Sequence, residues 1–400
     1  MIAGVIEGFY GPPWSWDDRR RCLDDIADCG GNWYVWAPKS EPRHRERWQE
    51  PFTTDELAGF ASLASRTAVG ISVGLTPGSE ATADEVADKL RPAVDSGVRG
   101  ITLCFDDLPA LGAGARHREI ANEIARQFAS DVWLVPTHYA GAESSPYLSE
   151  LCEELDPRIL VMWTGGHVVS DRITAFEAER RMSATGGRRP LLWDNTPVND
   201  ALMSEALHLG PYSGREIALR NVLSGVLVNP MEFAGASMPT IRSALAWCAG
   251  RDPVEEWSHY VDERGWRVLA QATAFPDDEH WPGANPSADW WTEVANLTVD
   301  DPQVEPWVRA ARDGAALVLR AKSFLDDPPS DPQHRSMTLI GLALAWRSWR
   351  RSDRLVFGAG PRLRPVLTND ANGRFTWNRA SFQDNASLVD DVVERVLRST

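Results

Sequence analysis

A chain of 400 residues is too long for one small domain and suits a large barrel with an extension. Its 43% hydrophobic content supports a sizeable core, and a formal net charge of −16 argues against nucleic acid or an anionic membrane surface as partner. No apolar run nears the roughly 20 residues of a membrane span; the opening shows no targeting segment, and five scattered cysteines lack CxxC spacing, so a cytoplasmic chain with reduced thiols is expected.

Up to about residue 230, short apolar runs alternate with helical stretches. The first run is Ala3–Glu7, followed by a helix over Asp17–Asp28 and a second run at Asn32–Trp36. Thr54-Asp55-Glu56-Leu57 opens the next helix, with a capping residue ahead of acidic ones. Val69–Leu75 is the third run, and Thr82-Ala83-Asp84-Glu85 opens another helix in the same way. Gly100–Phe105, a helix over Arg116–Ala129, then Asp131–Pro136 and Arg158–Trp163 continue the series. A helix over Asp171–Met182, the run Pro190–Trp193, a helix over Gly214–Val222 and the run Gly225–Asn229 complete it. Several runs are apolar at successive positions, as in Ile159-Leu160-Val161-Met162-Trp163, the mark of parallel strands covered on both faces. Eight such runs predict a (β/α)8 TIM-type barrel. A doubly wound sheet is the structural alternative, but it usually has fewer strands, and the Gly-rich phosphate turn it would often carry is missing.

Composition shifts near Ala249-Gly250-Arg251-Asp252-Pro253. Helical patterns then recur at Val254–Ala270, Val304–Leu325, Ser336–Arg350 and Ala386–Leu397, with Pro- and Asp-rich breaks at Phe275–Ala288 and Asp326–Gln333. The expected division is therefore a catalytic barrel over 1–249 and a C-terminal helical extension over 250–400. The amphipathic stretches of the extension, with Trp307, Trp346 and Trp349, suggest a homodimer surface.

In such barrels the chemistry sits where the strands end. The ends read Glu7-Gly8-Phe9-Tyr10-Gly11, Ala37-Pro38-Lys39, Phe105-Asp106-Asp107, Pro136-Thr137-His138-Tyr139, Trp163-Thr164-Gly165, Trp193-Asp194-Asn195 with Asp200 close behind, and Asn229-Pro230. Carboxylates, amides, one lysine and aromatics together suit a hydroxylated, uncharged sugar. The 18 tryptophans fit either core packing or sugar stacking. Asp106 and Asp107 carry the most weight. Two close carboxylates suppress each other's ionisation, so one can serve as an acid. Adjacent strand residues point to opposite sides, so both reach one substrate only if the chain bends there. Lys39 is one of three lysines against 38 arginines, and its strand-end position suits a donor to a sugar hydroxyl.

Other chemistries find little support. Gly112-Ala113-Gly114 lacks a third glycine and a preceding strand, and the eight histidines form neither HxH nor HExxH. No Gly-x-Ser-x-Gly elbow occurs, and the sequons at Asn296 and Asn385 are moot in a cytoplasmic chain. Neither a metal nor a cofactor is expected.

The opening Gly4-Val5-Ile6-Glu7-Gly8-Phe9-Tyr10-Gly11-Pro12-Pro13-Trp14-Ser15 resembles the start of the catalytic domain in glycoside hydrolase family 84, which holds protein O-GlcNAcases and bacterial β-N-acetylglucosaminidases. Similar matches follow in order, among them Tyr34-Val35-Trp36-Ala37-Pro38-Lys39, Phe105-Asp106-Asp107, Pro136-Thr137-His138-Tyr139, Trp193-Asp194-Asn195 through Asp200, and Gly225-Val226-Leu227-Val228-Asn229-Pro230. They span roughly residues 4–233. The resemblance implies a retaining β-N-acetylglucosaminidase in which the substrate's own acetamido oxygen is the nucleophile, an exception to the two-carboxylate scheme. It implies that Asp106 orients the acetamide and steadies an oxazoline intermediate, while Asp107 is the acid and then the base. Asp200 would hold O4 and O6, and Gly8 (through its backbone), Lys39 and Asn229 would bind other ring hydroxyls. Asn195 would steady the acetamide region, with Tyr139 and Trp193 walling the methyl pocket. The implied partner is a β-GlcNAc-bearing glycan or glycoprotein. His138 departs from the family, which often has an acid there.

Two other functions remain to be weighed. A catalytically dead sugar-binding module would not need both aspartates, and turnover of an aryl N-acetylglucosaminide tells it from an enzyme. A hexosaminidase tolerant at C4 would separate on gluco against galacto substrates. The natural aglycone is set by residues outside these motifs.

Overall fold

The computed structural model describes residues 1–66, 68–352, 354–360, 367–369, 375–377 and 386–398. The sequon at Asn385 begins outside them. In chain order the barrel comprises β1 (Ile2–Glu7), α1 (Trp16–Asp28), β2 (Trp33–Trp36), α2 (Thr54–Arg66), β3 (Gly70–Leu75), α3 (Ala83–Asp95), β4 (Gly100–Cys104), α4 (Gly114–Gln127), β5 (Asp131–Val135), α5 (Pro146–Cys152), β6 (Leu160–Trp163), α6 (Ala175–Ala184), β7 (Leu191–Asp194), α7 (Leu219–Val222), β8 (Gly225–Val228) and α8 (Ala234–Ala249). All eight strands are parallel, and β8 closes on β1 with Ile2 opposite Gly225. This is the (β/α)8 barrel that the eight apolar runs predict.

The strands are almost wholly buried because helices cover them outside and side chains fill them inside. Ile6, Val35, Cys104, Trp133, Met162, Leu191, Trp193 and Leu227 belong to one apolar cluster, in which the Trp33 and Trp133 rings meet edge-on at 4.7 Å. Capping boxes start α1 (Ser15 with Asp18), α3 (Thr82 with Glu85) and α6 (Thr174 with Glu177), and the same reciprocal pair at α2 joins Thr53, one residue ahead of the expected Thr54, to Glu56.

The departures from expectation have local causes. The seventh helix shrinks from Gly214–Val222 to the single turn Leu219–Val222. The segment before it is committed elsewhere: Ile173 N–H donates to the Gly214 carbonyl, and Arg215 turns inward to Asp194. Helix α6 starts at Ala175 rather than Asp171 because Thr174 is its cap. Helix α8 shows no apolar period, since most of its residues are buried and small residues are interspersed with large apolar ones around the circumference. The short α5 is announced only by Ser145-Pro146.

Two compact units divide the described residues, one of 1–200 and 211–256 with 367–369 and 375–377, the other of 201–210, 257–360 and 386–398. The C-terminal region is helical, with α9 (Pro253–Glu263), α10 (Arg267–Ala272), α11 (Ala288–Ala295), α12 (Glu305–Asp326), α13 (Pro332–Trp349) and α14 (Leu388–Arg398). The expected helix over Val254–Ala270 is broken at Gly265, whose φ of 66° ends α9. A two-stranded antiparallel ribbon, β9 (Leu367–Asn369) with β10 (Phe375–Trp377), interrupts the helical pattern. All five cysteines are free thiols. Among the described residues no helix is long and apolar enough to cross a membrane.

Candidate active site

Four carboxylates lie at or just beyond the ends of β1, β4 and β7, and their surroundings sort them. Glu7, at the end of β1, is fully buried and saturated. It accepts two hydrogen bonds of 2.8 Å from the Arg19 guanidinium, one from Trp14 N–H and one from the Tyr34 hydroxyl. Asp194, at the end of β7, is equally spent on Arg215 (2.8 Å) and the Tyr212 hydroxyl (2.6 Å). These two are structural.

Asp106 and Asp107 are different. Asp106 is 6% exposed; one of its oxygens takes the ammonium of Lys39, while Oδ1 is buried without a hydrogen-bond partner. A buried carboxylate oxygen left open is costly unless something binds to it. Asp107 has φ of 60°, a left-handed backbone that non-glycine residues rarely adopt. That is the bend two neighbouring aspartates need to serve one site. The Asp107 side chain is 39% exposed and accepts from Tyr10 O–H (3.0 Å), Tyr139 O–H (3.2 Å) and Arg45 (3.3 Å).

The other expected residues join this pair in one network. Burial pulls the Lys39 ammonium down, but the Asp106 carboxylate with further negative neighbours brings it above its usual pKa, so it stays charged. It lies 5.2 Å from the centre of the Trp193 ring. Trp193 Nε1 donates to Asn195 Oδ1 (2.9 Å), which also accepts from Asn229 Nδ2 (2.8 Å). Asn229 Oδ1 in turn accepts from Gly8 N–H (3.0 Å). Gly8 has no room for a side chain: a Cβ there would lie 2.2 Å from Trp193 Cζ2. Asp200 accepts from the backbone N–H of Tyr10 at 2.6 Å, and burial raises its pKa, with Glu232 adding to the effect. Burial and the Asp107 charge push Tyr139 well above the usual tyrosine range, keeping it a hydroxyl donor.

His138 is engaged within the β5–α5 connection. Its Nδ1 meets Ser145 Oγ at 2.7 Å, and that oxygen also accepts from Leu148 N–H, capping α5. Burial and the neighbouring Arg181 lower its pKa, so it is neutral at neutral pH. Two residues at Asp107 escaped sequence reasoning as side chains. Tyr10 stood inside the opening motif, but Arg45 is one arginine among 38 with no local mark. Among the described residues no group of three or more His, Cys, Asp or Glu side chains could hold a metal ion.

Residues 3–274 match the family model described as beta-N-acetylglucosaminidase. The protein O-GlcNAcases of Rattus norvegicus and Mus musculus are each 31% identical over 274 residues, covering 62% of this chain and 30% of theirs. The chain thus matches less than a third of the length of these curated relatives. A solved O-GlcNAc hydrolase variant from Thermobaculum terrenum superposes with a TM-score of 0.81 at 21% identity, covering 100% of this chain and 94% of that one, a likeness of fold.

Proposed function

Since the chain belongs to the beta-N-acetylglucosaminidase family of glycoside hydrolases, we propose that it is a retaining enzyme that removes terminal β-linked GlcNAc by substrate-assisted catalysis. The observation that carries this reading is the open, buried Oδ1 of Asp106 beside an Asp107 that the backbone turns toward the same site. An acetamide N–H gives Asp106 the donor it lacks, and the amide oxygen is thereby aimed at the anomeric carbon. That oxygen attacks C1 as Asp107 protonates the departing oxygen, forming an oxazoline. Asp107, now a carboxylate, takes a proton from the water that attacks C1 and reopens the ring. No protein nucleophile is needed, which suits a site whose other strand-end carboxylates are tied to arginines.

The remaining residues hold the sugar. Asp200 accepts from O4 and O6. The Gly8 N–H is committed to Asn229, which leaves the Gly8 carbonyl to accept from a ring hydroxyl, while Lys39 and Asn229 donate to others. Asn195, fixed through Trp193, Asn229 and the Val168 carbonyl, steadies the acetamide region, and Trp193 with Tyr139 encloses its methyl group. The substrate class is a β-GlcNAc-bearing glycan or glycoprotein. Free thiols throughout fit a reducing compartment such as the cytoplasm. The tryptophans that suggest a homodimer surface in the sequence are used internally: Trp307 is buried, and Trp346 and Trp349 donate to Asp390 and to the Ala310 carbonyl. On α13 it is the exposed stripe Met337, Ile340 and Leu344 that fits a homodimer contact, which solution mass measurement decides.

Leaving-group dependence tests the assignment. Asp107→Ala should slow poorly activated glycosides by the roughly 10²–10⁴-fold typical of acid–base catalysis. It should spare intermediate formation from acidic phenols, with azide assisting its breakdown. Asp106→Ala acts on the acetamide and should be slow across the whole series. A steeper dependence on leaving-group pKa in the Asp106 variant would exchange the roles, and two unimpaired variants would place the chemistry elsewhere.

A further inference from the structure

Arg45 occupies a built position. The connection between β2 and α2 runs irregularly over residues 37–53, yet the residues flanking Arg45 are anchored. His44 is fully buried and its carbonyl accepts from Thr76 N–H at 2.8 Å, at the end of β3. Trp48 is buried as well, and Arg45 and Arg47 both donate their backbone N–H to the Pro42 carbonyl (3.2 and 2.7 Å). From this frame the guanidinium donates to the Tyr10 hydroxyl oxygen at 2.7 Å and to Asp107 Oδ2 at 3.3 Å. Tyr10 is itself pinned at both ends, its N–H on Asp200 and its hydroxyl on Asp107. Gly11 N–H reaches Ser40 Oγ at 3.1 Å and ties the two connections together.

We propose that Arg45, with Tyr10 as its bridge, is a positioning residue that holds the Asp107 carboxyl group in its bent conformation, aimed at the departing oxygen. The inference rests on the acid–base role given to Asp107 above. The groups facing Asp107 are Tyr10 from the β1 connection, Arg45 from the β2 connection, Tyr139 from the β5 connection and its neighbour Asp106, whose charge Lys39 balances. Among the described residues Arg45 is therefore the cation in direct contact with the Asp107 side chain. Together with the Tyr10 hydroxyl it fixes Oδ2 in place, while Tyr139 meets Oδ1, so the carboxyl group is held from both sides where it must meet first the departing oxygen and then the water.

The experiment measures kcat/KM for a series of aryl β-GlcNAc substrates of differing leaving-group acidity with wild type, Arg45→Gln, Arg45→Lys and Tyr10→Phe. A misplaced general acid costs most where the departing oxygen is basic and needs a proton, so Arg45→Gln should lose roughly tenfold or more on poor leaving groups and little on acidic phenols. Arg45→Lys should lie nearer wild type, and Tyr10→Phe should steepen the dependence in the same direction. If Arg45→Gln fails to fold, Tyr10→Phe, at an exposed side chain, carries the test alone. A uniform fall across the series, or a lysine variant that matches glutamine, overturns the proposal. Inactivity of the wild type on every aryl β-GlcNAc instead defeats the proposed function, and this inference with it.

Discussion

Gly8→Ala should disable the sugar pocket without unfolding the barrel. A methyl at Gly8 would lie 2.2 Å from Trp193 Cζ2 and 2.6 Å from Cη2, where ordinary contact begins near 3.4 Å. The indole must therefore retreat by about 1.2 Å, the difference between those distances. It cannot do so freely. Its Nε1 is bonded to Asn195 at 2.9 Å, and its ring is part of the buried cluster that includes Leu227 and Met162. Retreat strains the Trp193–Asn195–Asn229 chain and moves the wall assigned to the acetamide methyl. A misplacement near 1 Å at a positioning element costs on the order of 10²-fold in rate. Steady-state kinetics on an aryl β-GlcNAc should show kcat/KM down by about that factor, and overpacking should lower stability by about 1–3 kcal/mol. Asn195→Ala, which releases the indole, should recover part of the lost stability but not the activity. A Gly8→Ala enzyme with wild-type kcat/KM would show that the Trp193 wall does not shape the substrate.

Two further outcomes test how the carboxylates divide their work. Glu7→Ala leaves Arg19 buried without its partner and should cost about 3–5 kcal/mol of stability, read by denaturant unfolding; a variant as stable as wild type but catalytically dead would return Glu7 to the chemistry. Asp200 has its pKa raised by burial, so on acidification it protonates earlier than an ordinary aspartate and loses its acceptor role. The acid limb of kcat/KM should accordingly lie above the usual carboxylate range and vanish in Asp200→Asn, whose activity falls about ten- to a hundredfold through one lost charged hydrogen bond. An acid limb that persists in that variant assigns it to another group.

Most of the barrel was legible because its strands are buried on both faces. A parallel strand reads as an unbroken apolar run, and each of the eight runs lies within two residues of an observed strand at either end. Helices with a capping box and an apolar stripe, such as α1 and α3, were equally plain. The misses share a cause. Helix α8 is buried all round, so its sequence carries no face, and α7 is cut short by the contacts of Ile173 and Arg215, which lie 42 residues apart and form an isolated bridge. Neither fact has a local signature. The same holds in the site. Gly8, Lys39, Asp106, Asp107, Tyr139, Trp193, Asn195, Asp200 and Asn229 all sit at strand ends or just beyond; position singles out Asp106, Asp107 and Lys39, and the resemblance to glycoside hydrolase family 84 picks the others from among their neighbours. Arg45 lies in a long connection, and only the folded chain brings it to Asp107.

Strand-end position could not say which carboxylates are free to react, and the reason lies in their arginines. Glu7 and Asp194 are as well placed in sequence as Asp106. Each is silenced by a guanidinium that approaches it two-handed, from 12 residues away for Arg19 and 21 for Arg215. A planar fork occupies both carboxylate oxygens at once, and Tyr34 or Tyr212 takes a further lone pair. Lys39 lacks that planar fork and meets only one oxygen of Asp106, which leaves the other open and buried. How many oxygens the cation takes therefore decides the role of the acid. Where an arginine fork takes both, as at Glu7 and Asp194, the carboxylate becomes part of the frame, whereas Arg45 reaches only Oδ2 of Asp107. At the end of β2 the chain supplies one of only three lysines, and the carboxylate it meets keeps an acceptor for a substrate amide. Lys39→Arg tests this directly. The charge is kept and the ion pair persists, but a fork that reaches both oxygens of Asp106 removes the acceptor proposed for the acetamide. Activity should fall about as far as in Asp106→Asn while stability changes little, and a fully active arginine variant would show that the open oxygen is not what the substrate needs.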